Sequence, residues 1–166
     1  LEGRQVDLQF SYSQPYVNVV KEKIEPRQSS QSILQLGYQF PYQYGDKDYF
    51  ALIVFNAMFG EFAHSALFTT LREKEGLAYS ISSQFDIFTG LLEVYAGIEK
   101  SNRNQAMRGI SRELNYIKLG RFSSSLLNQT KKIIRMNALL SEDHALTLVE
   151  QRFNKVIFGD KSLSLE

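Results

Sequence analysis

Val6, Leu8, Phe10 and Tyr12 alternate with Asp7, Gln9 and Ser11, the period-two pattern of a half-buried strand. The shorter apolar stretch from Tyr16 to Val20 suggests a second strand, and the polar, Gln/Ser-rich run from Arg27 to Ser32 a loop. Strand character returns over Ile33 to Phe40 and stops at Pro41. The period then changes. Phe50, Ile53, Val54, Ala57 and Met58 fall on one helical face, with Asp46 as the candidate cap and Gly60 suited to the end. A second helix is predicted over Ser65 to Glu75, with Gly76 free to take the left-handed conformation that closes it. Tyr79, Ile81, Ser83 and Phe85 line one face of a strand, Asp86 to Gly90 make a turn, and Leu92, Val94, Ala96 and Ile98 line one face of the returning strand.

Past Ser101 the pattern is helical throughout. Met107, Ile110, Leu114 and Ile117 mark a helix closed by Gly120. Leu126, Ile133 and Leu140 mark a second over about Ser124 to Leu140, and Ala145, Val149, Phe153 and Val156 a third that ends near Gly159. The tail from Lys161 to Glu166 is polar and reads as loose. Strands, helices, an antiparallel hairpin and three more helices predict an α+β fold: a mixed, mostly antiparallel sheet with helices packed on one face. No internal repeat and no linker divides the 166 residues, so they read as one domain, 1–166, with its core over about 30–158.

Composition narrows the function by subtraction. Nineteen basic and 18 acidic residues leave a charge of +1, too little to favour nucleic acid or an anionic membrane as partner. No run approaches the roughly 20 apolar residues that span a bilayer. The absence of cysteine removes disulfides, thiolate metal sites and cysteine nucleophiles, and fits a reducing, cytoplasmic location. The opening residues, Leu1-Glu2-Gly3-Arg4-Gln5, include neither an initiator methionine nor a basic stretch leading into an apolar one. The chain therefore reads as a piece of a longer protein.

Candidate chemistry is sparse. A zinc peptidase centre needs two histidines one helical turn apart plus a carboxylate, so that both rings reach one ion. His64 and His144 are the two histidines, far apart in the chain, and neither H-x-x-E-H nor H-E-x-x-H occurs. Glu61 and His64 are spaced to meet on a helix, but two ligands do not make a site. No G-x-S-x-G elbow, P-loop or dinucleotide fingerprint is present. Lys131, Lys132 and Arg135 form a basic patch whose ordinary meaning is a solvated helix face. One segment stands apart, Leu67-Phe68-Thr69-Thr70-Leu71-Arg72-Glu73-Lys74-Glu75-Gly76-Leu77-Ala78-Tyr79-Ser80. A helix-end arginine, a glycine turn and a tyrosine at the start of a strand can place Arg72 and Tyr79 at the rim of the sheet. There a guanidinium and a phenol suit carboxylates, peptide carbonyls or an oxyanion. The alternative is an ion pair of Arg72 with Glu73 or Glu75, and packing of Tyr79 beside Ile81.

The same segment closely resembles the signature L-F-x-x-[LIV]-R-E-K-x-G-L-A-Y-S-[IV]-x-S of the second, C-terminal-type domain of M16 zinc metallopeptidases (pitrilysin and the mitochondrial processing peptidase). The match runs from Leu67 to Ser83, with the similarity covering roughly Ser30 to Phe158. The resemblance implies a LuxS/processing-peptidase-like α+β domain without its own zinc site. Zinc is then expected on a separate domain or partner: an N-terminal M16 domain or an active paralogue. Arg72 and Tyr79 are implied as substrate-binding and transition-state-supporting residues for a peptide clamped at a sheet edge, with no catalytic or metal-binding residue in this chain. The segment Gly60-Glu61-Phe62-Ala63-His64-Ser65-Ala66-Leu67-Phe68 departs from the family pattern, since the loop glycines and the arginine after the serine are absent. Ala96-Gly97-Ile98-Glu99 resembles non-catalytic bacterial members that pair with an active paralogue. The expectations are thus a peptide-binding domain of a peptidase or, as the alternative, a non-catalytic interaction subunit, with homo-oligomerisation open in either case. A ligand-binding domain unrelated to proteolysis is the third and weakest reading.

Overall fold

The computed structural model describes residues 19–42, 46–141 and 145–158. The strand expected over Val6 to Tyr12, most of that expected at Tyr16 to Val20, His144 and the tail lie outside the described residues. Val19 and Val20, which are described, are exposed and not in a strand.

Among the described residues three strands form one antiparallel sheet: β1 (Ser32–Gln39), β2 (Ser80–Asp86) and β3 (Leu91–Ile98), in the order β1-β3-β2. The hairpin is the one the alternation implies. Asp86 Oδ1 accepts the Phe88 N–H at 2.8 Å, and Gly90 takes the positive φ of 64° that the turn requires. Ser80 pairs with Gly97 across it, and Ser32 with Ile98 on the other side of β3.

That register sorts the side chains by parity. Ile81, Ser83 and Phe85 of β2 and Leu92, Val94, Ala96 and Ile98 of β3 turn inward. They meet Phe59, Leu67, Leu71, Ala106 and Ile110 from the helices, forming the core. The opposite face is polar. On it Gln35 donates to Glu93 at 3.2 Å and to the Tyr95 hydroxyl at 2.8 Å, and Gln84 donates to Glu93 at 3.0 Å. Among the described residues the helices thus cover one face of the sheet, as α+β packing requires.

The helices are α1 (Tyr49–Asn56), α2 (Arg103–Lys118), α3 (Ser124–Ser141) and α4 (Ala145–Phe158). Two segments wind more widely, as π-helix: Ala57–Glu61, which continues α1, and Phe68–Lys74. The residue before α1 is Asp48, and two residues earlier the Asp46 carbonyl accepts the Tyr49 N–H at 3.0 Å. Gly60 does not end a helix by taking a left-handed turn. It lies inside the wide turn because its backbone runs directly against β2, where a Cβ would come within 2.8 Å of the Ser83 backbone nitrogen. Asn56, buried at this junction, accepts the Ser83 hydroxyl at 2.8 Å and donates to Glu61 at 2.9 Å. Gly76 and Gly120, by contrast, close helices at φ 61° and 69°, as the sequence suggests.

Candidate functional site

The segment from Leu67 to Tyr79 is anchored by the buried side chains of Leu67, Leu71 and Ala78. Leu71 is fully buried against Gly109 of α2, whose missing side chain admits it; a Cβ there would sit 3.2 Å from Leu71 Cγ. The helix then stops in a glycine turn. The Leu77 N–H donates to the Leu71 carbonyl at 2.8 Å, and the Glu75 N–H to that of Thr70 at 2.9 Å, which leaves Gly76 as the left-handed residue. Glu75 leaves the turn toward α2 and accepts Arg112 Nη2 at 2.7 Å, while Arg112 Nε donates to Glu113 at 3.0 Å.

With Glu75 engaged by Arg112, Arg72 is left without it. Its guanidinium lies over the Phe68 ring, 4.6 Å from the centroid, a cation–π contact one helical turn back. Arg72 is exposed and makes no ion pair among the described residues. The ion pair with Glu73 or Glu75, weighed above as the alternative, does not form.

Tyr79 continues the ladder of β2 by one bond, its N–H donating to the Gly97 carbonyl at 2.8 Å. Its side chain does not join Ile81 in the core. It is 50% exposed, and the hydroxyl donates to Glu99 Oε1 at 2.6 Å. That hydrogen bond to a carboxylate is the main reason the phenol titrates above its ordinary value. Arg72 and Tyr79 therefore flank one turn, both reaching solvent, with no hydrogen bond between them. Chemically they differ. The guanidinium is available to a carbonyl or carboxylate, whereas the phenol proton is engaged and must leave Glu99 before it can serve an oxyanion.

Glu61 and His64 have separate partners. Glu61 accepts from Asn56, and His64 Nε2 bonds Thr130 Oγ1 at 2.9 Å while its ring stacks on Phe62. Burial holds the imidazole below its usual range. Among the described residues no three histidine, aspartate or glutamate side chains converge as metal ligands, so the residues present do not fit zinc. The basic residues Lys131, Lys132 and Arg135 are exposed on α3.

Sequence reasoning missed Glu99 and Arg112. The first had a signal: a hairpin that pairs Ser80 with Gly97 carries Tyr79 toward the residues just past Ile98. Arg112 had none, because its partner lies across the fold.

Comparison with known proteins fits these features. Residues 4–134 match the family described as the Peptidase M16 inactive domain. The chain is 43% identical over 130 residues to the probable inactive metalloprotease YmfF of Bacillus subtilis (strain 168), covering 78% of this chain and 30% of that protein. It is 29% identical over 117 residues to the uncharacterized zinc protease YmxG of the same organism, covering 69% and 28%. The chain thus spans about a third of the length of the curated relatives it matches. A conserved protein from Enterococcus faecalis superposes with a TM-score of 0.87 at 42% identity, over 91% of this chain and 36% of that one. An M16 inactive domain from Pseudomonas fluorescens shares the fold, with a TM-score of 0.60 at 19% identity, over 82% and 36%. An α+β domain whose signature segment forms the turn between Arg72 and Tyr79, and whose sequence matches that family over residues 4–134, belongs to the M16 peptidase inactive-domain family.

Proposed function

We propose that this chain is the substrate-contacting, non-catalytic domain of a longer M16 peptidase assembly, in which zinc and the general base are supplied by another domain or by an active paralogue. One observation carries the reading: Arg72 stands exposed at the turn with no carboxylate partner among the described residues, although Glu73 and Glu75 are near it in sequence. A permanently charged fork left unpaired is suited to carbonyls of an extended peptide. Such a peptide can add to a free sheet edge, and β2 has β3 as its single neighbour among the described strands. Tyr79, released from Glu99 when substrate arrives, would then donate to the developing oxyanion.

The partner's chemistry follows from the helices at the far end. Leu139, Leu140, Leu146, Val149, Phe153 and Val156 of α3 and α4 are all exposed, so an apolar face on a second M16 domain or subunit, or on another copy of this chain, is the natural cover. No helix among the described residues is long and apolar enough to cross a membrane. A cytoplasmic assembly fits the absence of cysteine.

The test is kinetic. In the full protein with its active partner, Arg72→Ala and Tyr79→Phe should lower peptide turnover by about a hundredfold or more while leaving the melting temperature within a few degrees. Arg72→Lys should not restore it, since the planar fork is lost. A second reading, an interaction subunit that only supports its partner, is favoured by the engagement of the Tyr79 hydroxyl with Glu99. Unchanged turnover in both variants would establish that reading instead.

A further inference from the structure

We infer that the cleft between the Glu75–Leu77 turn and α2 is a binding site for a carboxylate, specifically the acidic side chain of a peptide segment. The cleft has a volume of about 410 Å³, and Gln105, Arg108, Gly109 and Arg112 face it from α2. These positions are three and four residues apart, so they form one stripe along the helix. Gly109, with no side chain, lowers the floor, and Leu71 fills the space beneath it.

The two arginines are not equivalent. Arg112 is fixed, with Nη2 on Glu75 at 2.7 Å and Nε on Glu113 at 3.0 Å. Arg108 lies one turn earlier, exposed, and makes no ion pair or hydrogen bond among the described residues; the same holds for the Gln105 amide. Two guanidinium groups at i, i+4 repel each other, and the carboxylate on the cleft wall, Glu75, is already bonded to the other arginine. The cleft therefore offers a planar fork and an amide donor that nothing in the described chain occupies. An oxyanion with two coplanar acceptors matches that fork. The charges choose between sources. Among the residues that line the cleft, Arg108 and Arg112 against Glu75 leave one net positive charge, which suits a monoanion and not a phosphate dianion. Leu77 supplies an apolar wall for the methylene groups of a glutamate.

This inference goes beyond the proposed function and does not require turnover, so its failure is separable from a failure of the Arg72 and Tyr79 variants. The measurement is fluorescence anisotropy of a labelled oligoglutamate peptide against the full chain, with the oligoglutamine counterpart and inorganic phosphate as the other arms. Amide and side-chain NMR shifts locate the site. Expected are saturable binding of the glutamate peptide that weakens with salt, shifts centred on Gln105 and Arg108, and no binding of the glutamine peptide. Arg108→Gln should weaken affinity about tenfold or more, and Gln105→Ala by a smaller factor, with unchanged melting curves showing that both variants fold. Three results would overturn the assignment: equal binding of the glutamine peptide, unaltered affinity in folded Arg108→Gln, or phosphate binding at Arg108 more tightly than the glutamate peptide.

Discussion

Replacing Gly60 by alanine tests whether the close approach of the wide helical turn to β2 is what holds this half of the fold together. An alanine Cβ would meet Ser83 Oγ at 2.6 Å, Ser83 Cβ at 2.8 Å and the Ser83 backbone nitrogen at 2.8 Å. Rotating the serine side chain relieves the first contact alone; the other two belong to atoms fixed in a strand paired with β3. Overpacking of this kind costs about 1–3 kcal/mol. Against it stands the better helix propensity of alanine, about 1 kcal/mol. Because backbone must shift, the cost should fall in the upper half of its range, leaving a net loss of about 1–2 kcal/mol. Urea unfolding followed by circular dichroism measures this as a lower midpoint at unchanged slope. In thermal unfolding it corresponds to a fall of about 2–8 °C for a chain of this size. Removing the serine hydroxyl in the double variant Gly60→Ala, Ser83→Ala should not rescue stability, since the nitrogen contact remains. If Gly60→Ala is neutral or stabilising, the glycine is there for some reason other than space, and the account of this junction is wrong.

Asn56→Ala should destabilise by about 1–3 kcal/mol, because the buried Ser83 hydroxyl loses its acceptor and Glu61 its donor; a urea midpoint equal to wild type would refute this. His64 makes stability depend on acid. Its folded value is depressed by burial, so the neutral form's contribution is present above the unfolded value of about 6.5 and is lost as pH falls through the lower folded value. Melting curves at about pH 7.5 and pH 5 should therefore differ less in His64→Gln than in wild type, because glutamine can keep the bond to Thr130 without titrating. An equal difference in both proteins would exclude His64 as the source.

The parts of the fold legible in the sequence are those set by local rules. Alternation gave β1, the hairpin and its inward face, and three glycines at helix or turn ends carry the positive φ that their positions suggested. Alternation failed at Tyr79, which shares its parity with Ile81 but lies one residue before β2, where a hydroxyl beside the Glu99 carboxylate gains more than a ring left at the sheet margin. Periodicity places Gly60 near the helix end, one residue before Glu61, without saying what it does there. A glycine after an apolar helical run has two uses, to reverse the chain or to let another backbone come close, and the local pattern is the same for both. Only the strand on the far side, twenty and more residues later in sequence, decides between them.

The candidate site shows the same division. Arg72 and Tyr79 are candidates because a contiguous motif carries them, whereas their immediate environment is set by Glu99 and by the Glu75–Arg112 pair, which join residues distant in sequence. The consequence is chemical. By drawing Glu75 to α2, Arg112 leaves Arg72 without an ion pair among the described residues, and by accepting the hydrogen bond of the phenol, Glu99 holds the Tyr79 hydroxyl engaged. One residue of the pair is thus poised and the other restrained. The proposed contact with peptide requires the first of these features and is not harmed by the second.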